Sequence, residues 1–128
     1  MKLLLDTCTF IWLTQEPERL SPKAVRAIDS QANELFFSHA SVWEIHLKTL
    51  AGKLRLPDPP RQWISQQLAA RGVNEQPIDL ESLHQTGELP LVHKDPFDRL
   101  LIAQARVHQF HIVSPDGVFA DYRVKVIW

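Results

Sequence analysis

Three short apolar runs, each ending at a polar or acidic residue, constrain this chain more than any other feature of its sequence. They lie at residues 3–5, 35–37 and 111–113, and segments with helical spacing separate them. Runs of this length are typical of strands that are buried on both faces. Strands that alternate with helices favour β-α-β crossovers. We therefore expect an α/β domain with a mainly parallel sheet, helices on both faces, and a further strand at residues 124–128.

Start and stop signals predict five helices between and after these strands. The strongest signal is Asp95 as N-cap with Pro96 in the first helical position, followed by an apolar stripe. Ser38 and Ser41 are alternative caps for the second helix. The predicted helices cover approximately residues 22–31, 38–52, 63–72, 80–87 and 96–108.

Composition excludes several classes of protein. The 128 residues allow one packed core, and 14 basic against 15 acidic residues give no global cationic field for nucleic acid. Cys8 is the only cysteine, which favours a reducing cytoplasm, and no segment has the length of a signal peptide core or a membrane span. The four glycines lie too far apart for a dinucleotide fingerprint or a P-loop.

Four acids from distant parts of the chain are expected at the carboxyl ends of the strands, where open α/β sheets bind ligands. Asp6 follows the first strand, Glu44 lies early in the helix after the second, Asp98 lies in the first turn of the 96–108 helix, and Asp116 follows the third strand. Carboxylates that lie close together raise one another's pKa unless a cation intervenes. Oxygen ligands without paired cysteines or histidines favour Mg²⁺ or Mn²⁺ over zinc. Such ions activate water and stabilise the leaving oxygen in phosphodiester hydrolysis.

Each of these acids also has an ordinary structural interpretation. A residue such as Asp6 occurs at strand ends, Asp98 is a typical first-turn acid, and Asp116 before Gly117 is a common turn pair. The six histidines show no ligand spacing, and the tryptophans are typical of cores and interfaces. Basic residues outnumber acids over residues 41–72, so this segment is either an RNA-backbone contact or a solvated helix surface. Its candidate RNA-binding residues are Lys48, Lys53 and Arg55.

Three segments of the sequence closely resemble the PIN-domain ribonucleases of the VapC toxin type. They are Leu4-Leu5-Asp6-Thr7, Ser41-Val42-Trp43-Glu44-Ile45 and the stretch DPFDRLLIAQA at residues 95–105. The resemblance implies a PIN-like three-layer α/β/α domain over residues 1–128, with a mainly parallel central sheet of four to five strands. It also implies that Asp6, Glu44, Asp98 and Asp116 are catalytic residues and metal ligands, with Ser114 supporting the last acid.

The same resemblance implies a Mg²⁺- or Mn²⁺-dependent endoribonuclease that leaves 5′-phosphate and 3′-hydroxyl ends. It would be the toxin of a toxin–antitoxin pair, a cytoplasmic homodimer silenced by a small antitoxin. The apolar faces bearing Trp43, Leu47 and Leu50, or Trp63 and Leu68, are candidate contact surfaces, with the core as the alternative for either face. The chain departs from the family pattern at Cys8, where relatives commonly have histidine, and in the Ser114-Pro115-Asp116 turn.

Two other functions remain open at this point. A binding module with weak or no catalysis would keep the fold and pair only with its antitoxin. A phosphatase resembling the haloacid dehalogenases also begins with an aspartate after a buried strand, but it requires a second aspartate two residues later, where this chain has Cys8. Metal-dependent cleavage of internal RNA linkages separates the three.

Overall fold

Five parallel strands form the central sheet of the computed structural model, which describes residues 1–128. In chain order the strands are β1 (Lys2–Leu5), β2 (Glu34–Ser38), β3 (Asn74–Gln76), β4 (His111–Val113) and β5 (Val126–Ile127). Their spatial order is β3-β2-β1-β4-β5, and every neighbouring pair is parallel. The direction of progression therefore reverses at β1, and ligands of open α/β sheets bind beyond the carboxyl ends of the strands at such a point.

Six α-helices and two short 3₁₀ helices connect the strands. The helices are α1 (Thr7–Gln15), α2 (Pro22–Asp29), α3 (His39–Leu50), α4 (Pro60–Arg71), α5 (Leu80–Glu88) and α6 (Pro96–His108), and the 3₁₀ helices cover Pro17–Arg19 and Gly117–Tyr122. None of the helices is both long enough and apolar enough to cross a membrane.

Apolar side chains of the sheet alternate between two cores, one on each face. Leu3 and Leu5 belong to the core that contains Phe10 and Trp63, whereas Leu4 belongs to the core that contains Leu101. This alternation follows from the two-residue period of a strand, and it explains why an uninterrupted apolar run marks a strand covered on both sides. The three-layer α/β/α architecture predicted from the sequence is confirmed.

Trp63 belongs to the core, so of the two alternatives for the face of α4, contact surface or core, the structure shows the core. Its side chain is only 1% exposed and meets the Phe10 ring edge-on, with ring centroids 5.7 Å apart. Phe10 in turn stacks on Phe37 at 3.9 Å. An apolar helix face looks the same in the sequence whether it packs on a core or on a partner, and here the face of α4 packs on the sheet.

Helix ends follow their local signals closely. Ser38 caps α3 by accepting from the Ala40 N–H at 3.0 Å, and Gly72 ends α4 in the left-handed conformation with φ 61°. Helix α1, strand β3 and the two 3₁₀ helices were not predicted. Helix α1 has little separation of polar and apolar faces because its buried residues include Thr7 and Thr9 as well as Phe10 and Leu13. Strand β3 has the polar sequence Asn-Glu-Gln.

Candidate active site

Asp6 follows the central strand and begins helix α1. Its Oδ1 accepts from the Thr9 N–H at 2.8 Å, so the carboxylate is the N-cap of α1, and its own N–H donates to the Val113 carbonyl of β4 at 3.2 Å. The residue is 6% exposed. Burial raises the pKa of Asp6, and hydrogen bonds with Ser114 and Thr9 oppose this increase. A nearby positive charge would therefore favour the ionised form of this carboxylate.

Asp98 lies in the first turn of α6. The Asp95 carboxylate caps this helix by accepting from the N–H groups of Phe97 and Asp98, which fixes the position of the turn. Burial raises the pKa of Asp98 to about 6. A hydrogen bond with His93 opposes this increase in pKa, whereas the negative charges of Asp95 and Glu44 add to it.

Glu44 lies in the second turn of α3, with both carboxylate oxygens held. Oε1 accepts from the Thr7 hydroxyl at 2.5 Å, and Oε2 is 3.0 Å from the Lys48 ammonium. The side chain of Glu44 is 13% exposed. Because Thr7 is the first residue of α1, this hydrogen bond joins α3 to the helix that begins at Asp6.

Asp116 is the most exposed of the four predicted acids. It caps the short 3₁₀ helix by accepting from the Val118 N–H at 3.0 Å. Its own N–H donates to the buried Ser114 hydroxyl at 3.0 Å. Ser114 therefore contacts both Asp116 and Asp6, and it links the turn after β4 to the end of β1.

All four predicted acids line one cavity of about 190 Å³ beyond the carboxyl ends of the strands. Asp95 also lines this cavity, and Lys48 is the one cation among the lining residues. Other cavities of the chain are larger, but none of them has this concentration of carboxylates. The four acids come from four separate segments, as expected of a site assembled at the edge of a sheet.

The donor set of this cavity fits a hard divalent cation. Five carboxylates face one ammonium group, and two of the predicted acids, Asp6 and Asp98, have a raised pKa. The Cys8 thiol lies 3.3 Å from Asp6 Oδ1 and donates to it. Burial raises the pKa of this thiol, and the negative charge of Asp6 raises it further, so it is protonated and adds no thiolate ligand. Carboxylate oxygens are the ligands that Mg²⁺ and Mn²⁺ prefer.

His93 lies at the site, although the sequence did not predict a role for it there. Its Nε2 is 2.8 Å from Asp98 Oδ2. His93, Asp95 and Asp98 can each place one ligand atom within 4.8 Å of the others. No periodicity or motif spacing marks His93, because an irregular loop brings it back to the start of α6.

Arg99 holds that loop. The side chain is buried, and its guanidinium group donates to four backbone carbonyls and approaches the Tyr122 hydroxyl at 3.4 Å. The four carbonyls belong to Thr86, Leu89, Pro90 and His93, at 2.6, 3.1, 2.8 and 3.1 Å. The Tyr122 hydroxyl also accepts from the His93 N–H at 2.7 Å. No acid pairs with Arg99, so its charge is satisfied by carbonyls at the end of α5 and in the loop that carries His93.

The three predicted RNA-binding residues differ in their distance from the site. Lys48 lines the acidic cavity itself, and Lys53 lines an adjoining cavity of about 310 Å³ that also borders Glu44 and Asp95. Arg55 is exposed and lies in the loop after α3, outside both cavities. Only Lys48 is therefore placed to contact a group bound among the acids.

Exposed apolar side chains concentrate beside the site. Of the nine exposed large hydrophobic residues, seven belong to α3, α5 and the loop before α6. Trp43 is 58% exposed and Leu50 85% exposed, and together with Leu47 they form the exposed face of α3. A groove of about 520 Å³ lies beside this face and is lined by Trp43, Leu47 and Phe97 among others. The ring centroids of Trp43 and Phe97 are 5.3 Å apart.

Comparisons with known proteins give three results. The sequence profile of the PIN domain family matches residues 3–125. Ribonuclease VapC22 of Mycobacterium tuberculosis is 32% identical over 124 residues, which cover 94% of this chain and 92% of the relative. Among solved structures, VapBC2 of Rickettsia felis bound to a promoter DNA fragment superposes with a TM-score of 0.75 at 12% identity, over 98% of this chain and 97% of the other. VapBC-1 of nontypeable Haemophilus influenzae gives a TM-score of 0.68 at 16% identity, over 98% and 96%.

Proposed function

The chain belongs to the PIN domain family, and on that premise we propose that it is a divalent-metal-dependent endoribonuclease, the toxin of a toxin–antitoxin pair. The observation that carries the proposal is the cavity in which four acids from separate segments, together with Asp95, face one lysine. The named relative is a ribonuclease, which favours RNA as the substrate.

Asp6, Glu44, Asp98 and Asp116 are the proposed ligands of Mg²⁺ or Mn²⁺. When bound, such an ion supplies charge for the phosphate oxygens and lowers the pKa of the attacking water. Glu44 is oriented by the Thr7 hydroxyl, and Asp98 is oriented by His93. The Asp6 N–H donates to a carbonyl of β4, and the Asp6 carboxylate accepts from an N–H group of α1. The carboxylate is therefore held in position before a cation binds.

Lys48 is the proposed contact for the phosphate backbone next to the cut linkage. Its ammonium group is half exposed, lies at the wall of the cavity and pairs with one oxygen of Glu44. An ammonium group in this position favours an anionic substrate at the edge of a site that is otherwise acidic. Lys53 and Arg55 extend the same charge along the segment after α3.

Removal of divalent metal is expected to abolish RNA cleavage. The five carboxylates of the cavity repel phosphate unless a cation is bound among them, so EDTA should lower the rate by at least about 100-fold. The measurement is gel analysis of a mixed RNA pool with EDTA, and then with excess Mg²⁺ or Mn²⁺, which should restore the activity. Cleavage that persists in EDTA contradicts the proposal, as does the absence of cleavage with either metal, which favours a binding module.

We also propose that the exposed face of α3 is the contact surface of a homodimer. Contiguous exposed apolar area of this kind marks interaction sites in soluble proteins. The two structural relatives, VapBC2 and VapBC-1, are each a complex with an antitoxin. A small antitoxin is therefore a second proposed partner, with a basic side chain directed into the acidic cavity. The cytoplasm is the proposed location of the protein and of its antitoxin.

Leu47→Glu is expected to convert the homodimer to a monomer. A carboxylate placed in the groove beside Trp43 would lose its hydration in the interface without gaining a partner, which weakens association by roughly 10- to 100-fold or more. Light scattering after size-exclusion chromatography measures the mass. Val25→Glu, at a similarly exposed apolar position on α2, is the matched control and should keep the mass of the wild type. Equal masses for Leu47→Glu and wild type contradict this assignment of the face.

A further inference from the structure

A second charged cavity lies at the opposite edge of the sheet. It has a volume of about 530 Å³, and its lining includes the cations Arg106, Arg123 and Lys125 together with His111, with no acid among the lining residues. His111 begins β4, and the Lys125 carbonyl accepts from the Ile112 N–H at the start of the same strand. The cavity is therefore at the amino ends of the strands, whereas the acidic cavity lies beyond their carboxyl ends.

The cations of this cavity are not neutralised by the protein. None of Arg106, Arg123 and Lys125 forms an ion pair, although acids outnumber bases in the chain. Lys2 adds a further charge from β1, with its ammonium group 4.9 Å from the ring centroid of Phe110. Burial lowers the pKa of His111, and the positive charges of Lys125 and of the N-terminal ammonium group lower it further.

Helix electrostatics account for only part of this charge. Arg106 lies in the last turn of α6, where a cation interacts favourably with the helix dipole. Arg123, Lys125 and Lys2 belong to other elements.

Gln109 and Arg123 are the two non-glycine residues with positive φ, 59° in each case, and both line this cavity. Glycine or asparagine is favoured in that conformation, so long polar side chains are present there despite an unfavourable backbone.

We propose that this basic cavity binds phosphates of the RNA chain away from the linkage that is cut. The inference rests on the proposed ribonuclease function and adds a second contact region for the same substrate. Guanidinium groups match phosphate oxygens in pairs, which suits Arg106 and Arg123. The one aromatic residue of the lining, Phe110, is 4% exposed and offers no surface for base stacking. The contact is therefore independent of sequence.

The position of the cavity sets the size of RNA that can use it. Strand β1 separates the two edges of the sheet by four residues, or about 13 Å at roughly 3.3 Å per residue. The path over the protein surface is longer than this. A very short RNA can therefore fill the acidic cavity alone, whereas a longer or folded RNA contacts both regions.

The test compares two triple variants in an Asp98→Asn background, which keeps the RNA intact during binding. One combines Arg106→Gln, Arg123→Asn and Lys125→Gln. The matched control removes three exposed cations outside the cavity and outside residues 41–72 by Arg19→Gln, Lys23→Gln and Arg26→Gln. Fluorescence anisotropy measures binding of a single-stranded RNA of about 40 nucleotides, and of one of about six, over a range of KCl concentrations, because the salt slope counts phosphate contacts.

For the longer RNA, the cavity variant should bind at least about 10-fold more weakly than the control variant at moderate salt. Its slope of log K against log [KCl] should be smaller by about 2, since each phosphate contact to a single strand contributes about 0.7. Binding of the short RNA should be the same in both variants. Equal slopes for the longer RNA overturn the proposal. Duplex DNA is measured in the same way, and a loss of affinity for duplex DNA alone also overturns it.

The design separates this proposal from the ribonuclease function. Cleavage by the protein with Asp98 intact is measured on the same RNA in parallel. If that protein cuts RNA while the cavity variant binds like the control, only the basic cavity is assigned wrongly. If RNA is bound through the cavity but never cut, the binding site stands and the ribonuclease function fails.

Discussion

Asp6→Asn should lower RNA cleavage by at least about 100-fold while leaving the free energy of unfolding unchanged or raised. The loss of activity is expected because a neutral amide is a poor ligand for a hard cation, and changes in preorganised electrostatics of this kind have effects of roughly 100- to 1,000-fold or more. The fold should survive because asparagine keeps a side-chain oxygen that can accept from the Thr9 N–H and cap α1.

The stability of the metal-free protein should respond to pH in a defined direction. Burial raises the pKa of Asp6 above its unfolded value, so the folded state binds more protons than the unfolded state between the two pKa values. Stability therefore falls as pH rises through that window, and Asp98, with its pKa raised to about 6, contributes in the same direction. Asp6→Asn removes one of these contributions, so its urea midpoint should depend less on pH than that of the wild type.

Asp29→Asn is the matched control, because Asp29 is an exposed acid on α2, away from the cavity. It should cut RNA at the rate of the wild type. Initial rates on a defined RNA, together with urea unfolding curves from about pH 4 to 8, give both readouts. An Asp6→Asn protein that is folded and keeps a substantial fraction of the activity would remove Asp6 from the proposed ligand set.

Arg99→Lys should destabilise the protein by about 3 kcal/mol. A lysine ammonium group is a single point of charge and does not reproduce the forked guanidinium that reaches the carbonyls of Thr86 and Leu89 on one side and of Pro90 and His93 on the other. Each hydrogen bond to a charged group contributes roughly 1.5–3 kcal/mol, and the loss leaves buried carbonyls without donors. The urea midpoint at neutral pH measures the change.

The control for this prediction lies on the same helix. Arg106→Lys is at an exposed position seven residues further along α6, and its effect on the free energy of unfolding should stay within about 0.5 kcal/mol. Arg99→Lys should also weaken RNA cleavage, since the loop that Arg99 holds places His93 against Asp98. A stability equal to that of Arg106→Lys would show that the loop is held by other contacts.

Much of the fold could be predicted from local signals. The bounds of α6 are those expected from the cap Asp95, and β4 coincides with the predicted run at residues 111–113. Short apolar runs identify buried strands because both faces of the sheet are covered. The polar strand β3 could not be found in this way, since it lies at an edge and pairs with β2 through its backbone.

The convergence of the four acids could be predicted because parallel strands have a common carboxyl edge. The contribution of the loop before α6 could not. His93 reaches Asp98 only through the hydrogen bonds that Arg99 and Tyr122 make with the loop backbone, and such contacts leave no periodic signal. Thr7 belongs to the motif Leu4-Leu5-Asp6-Thr7, but its hydrogen bond to Glu44 depends on how α1 and α3 pack.

The pairing of β1 with β4 has a consequence for the synthesis of this protein. Leu4 lies opposite Ile112, so the centre of the sheet cannot close until β4 has left the ribosome. Asp116 follows β4 and emerges later still. A nascent chain therefore lacks the complete set of four acids until the segment that carries Asp116 has been released and can fold onto the sheet.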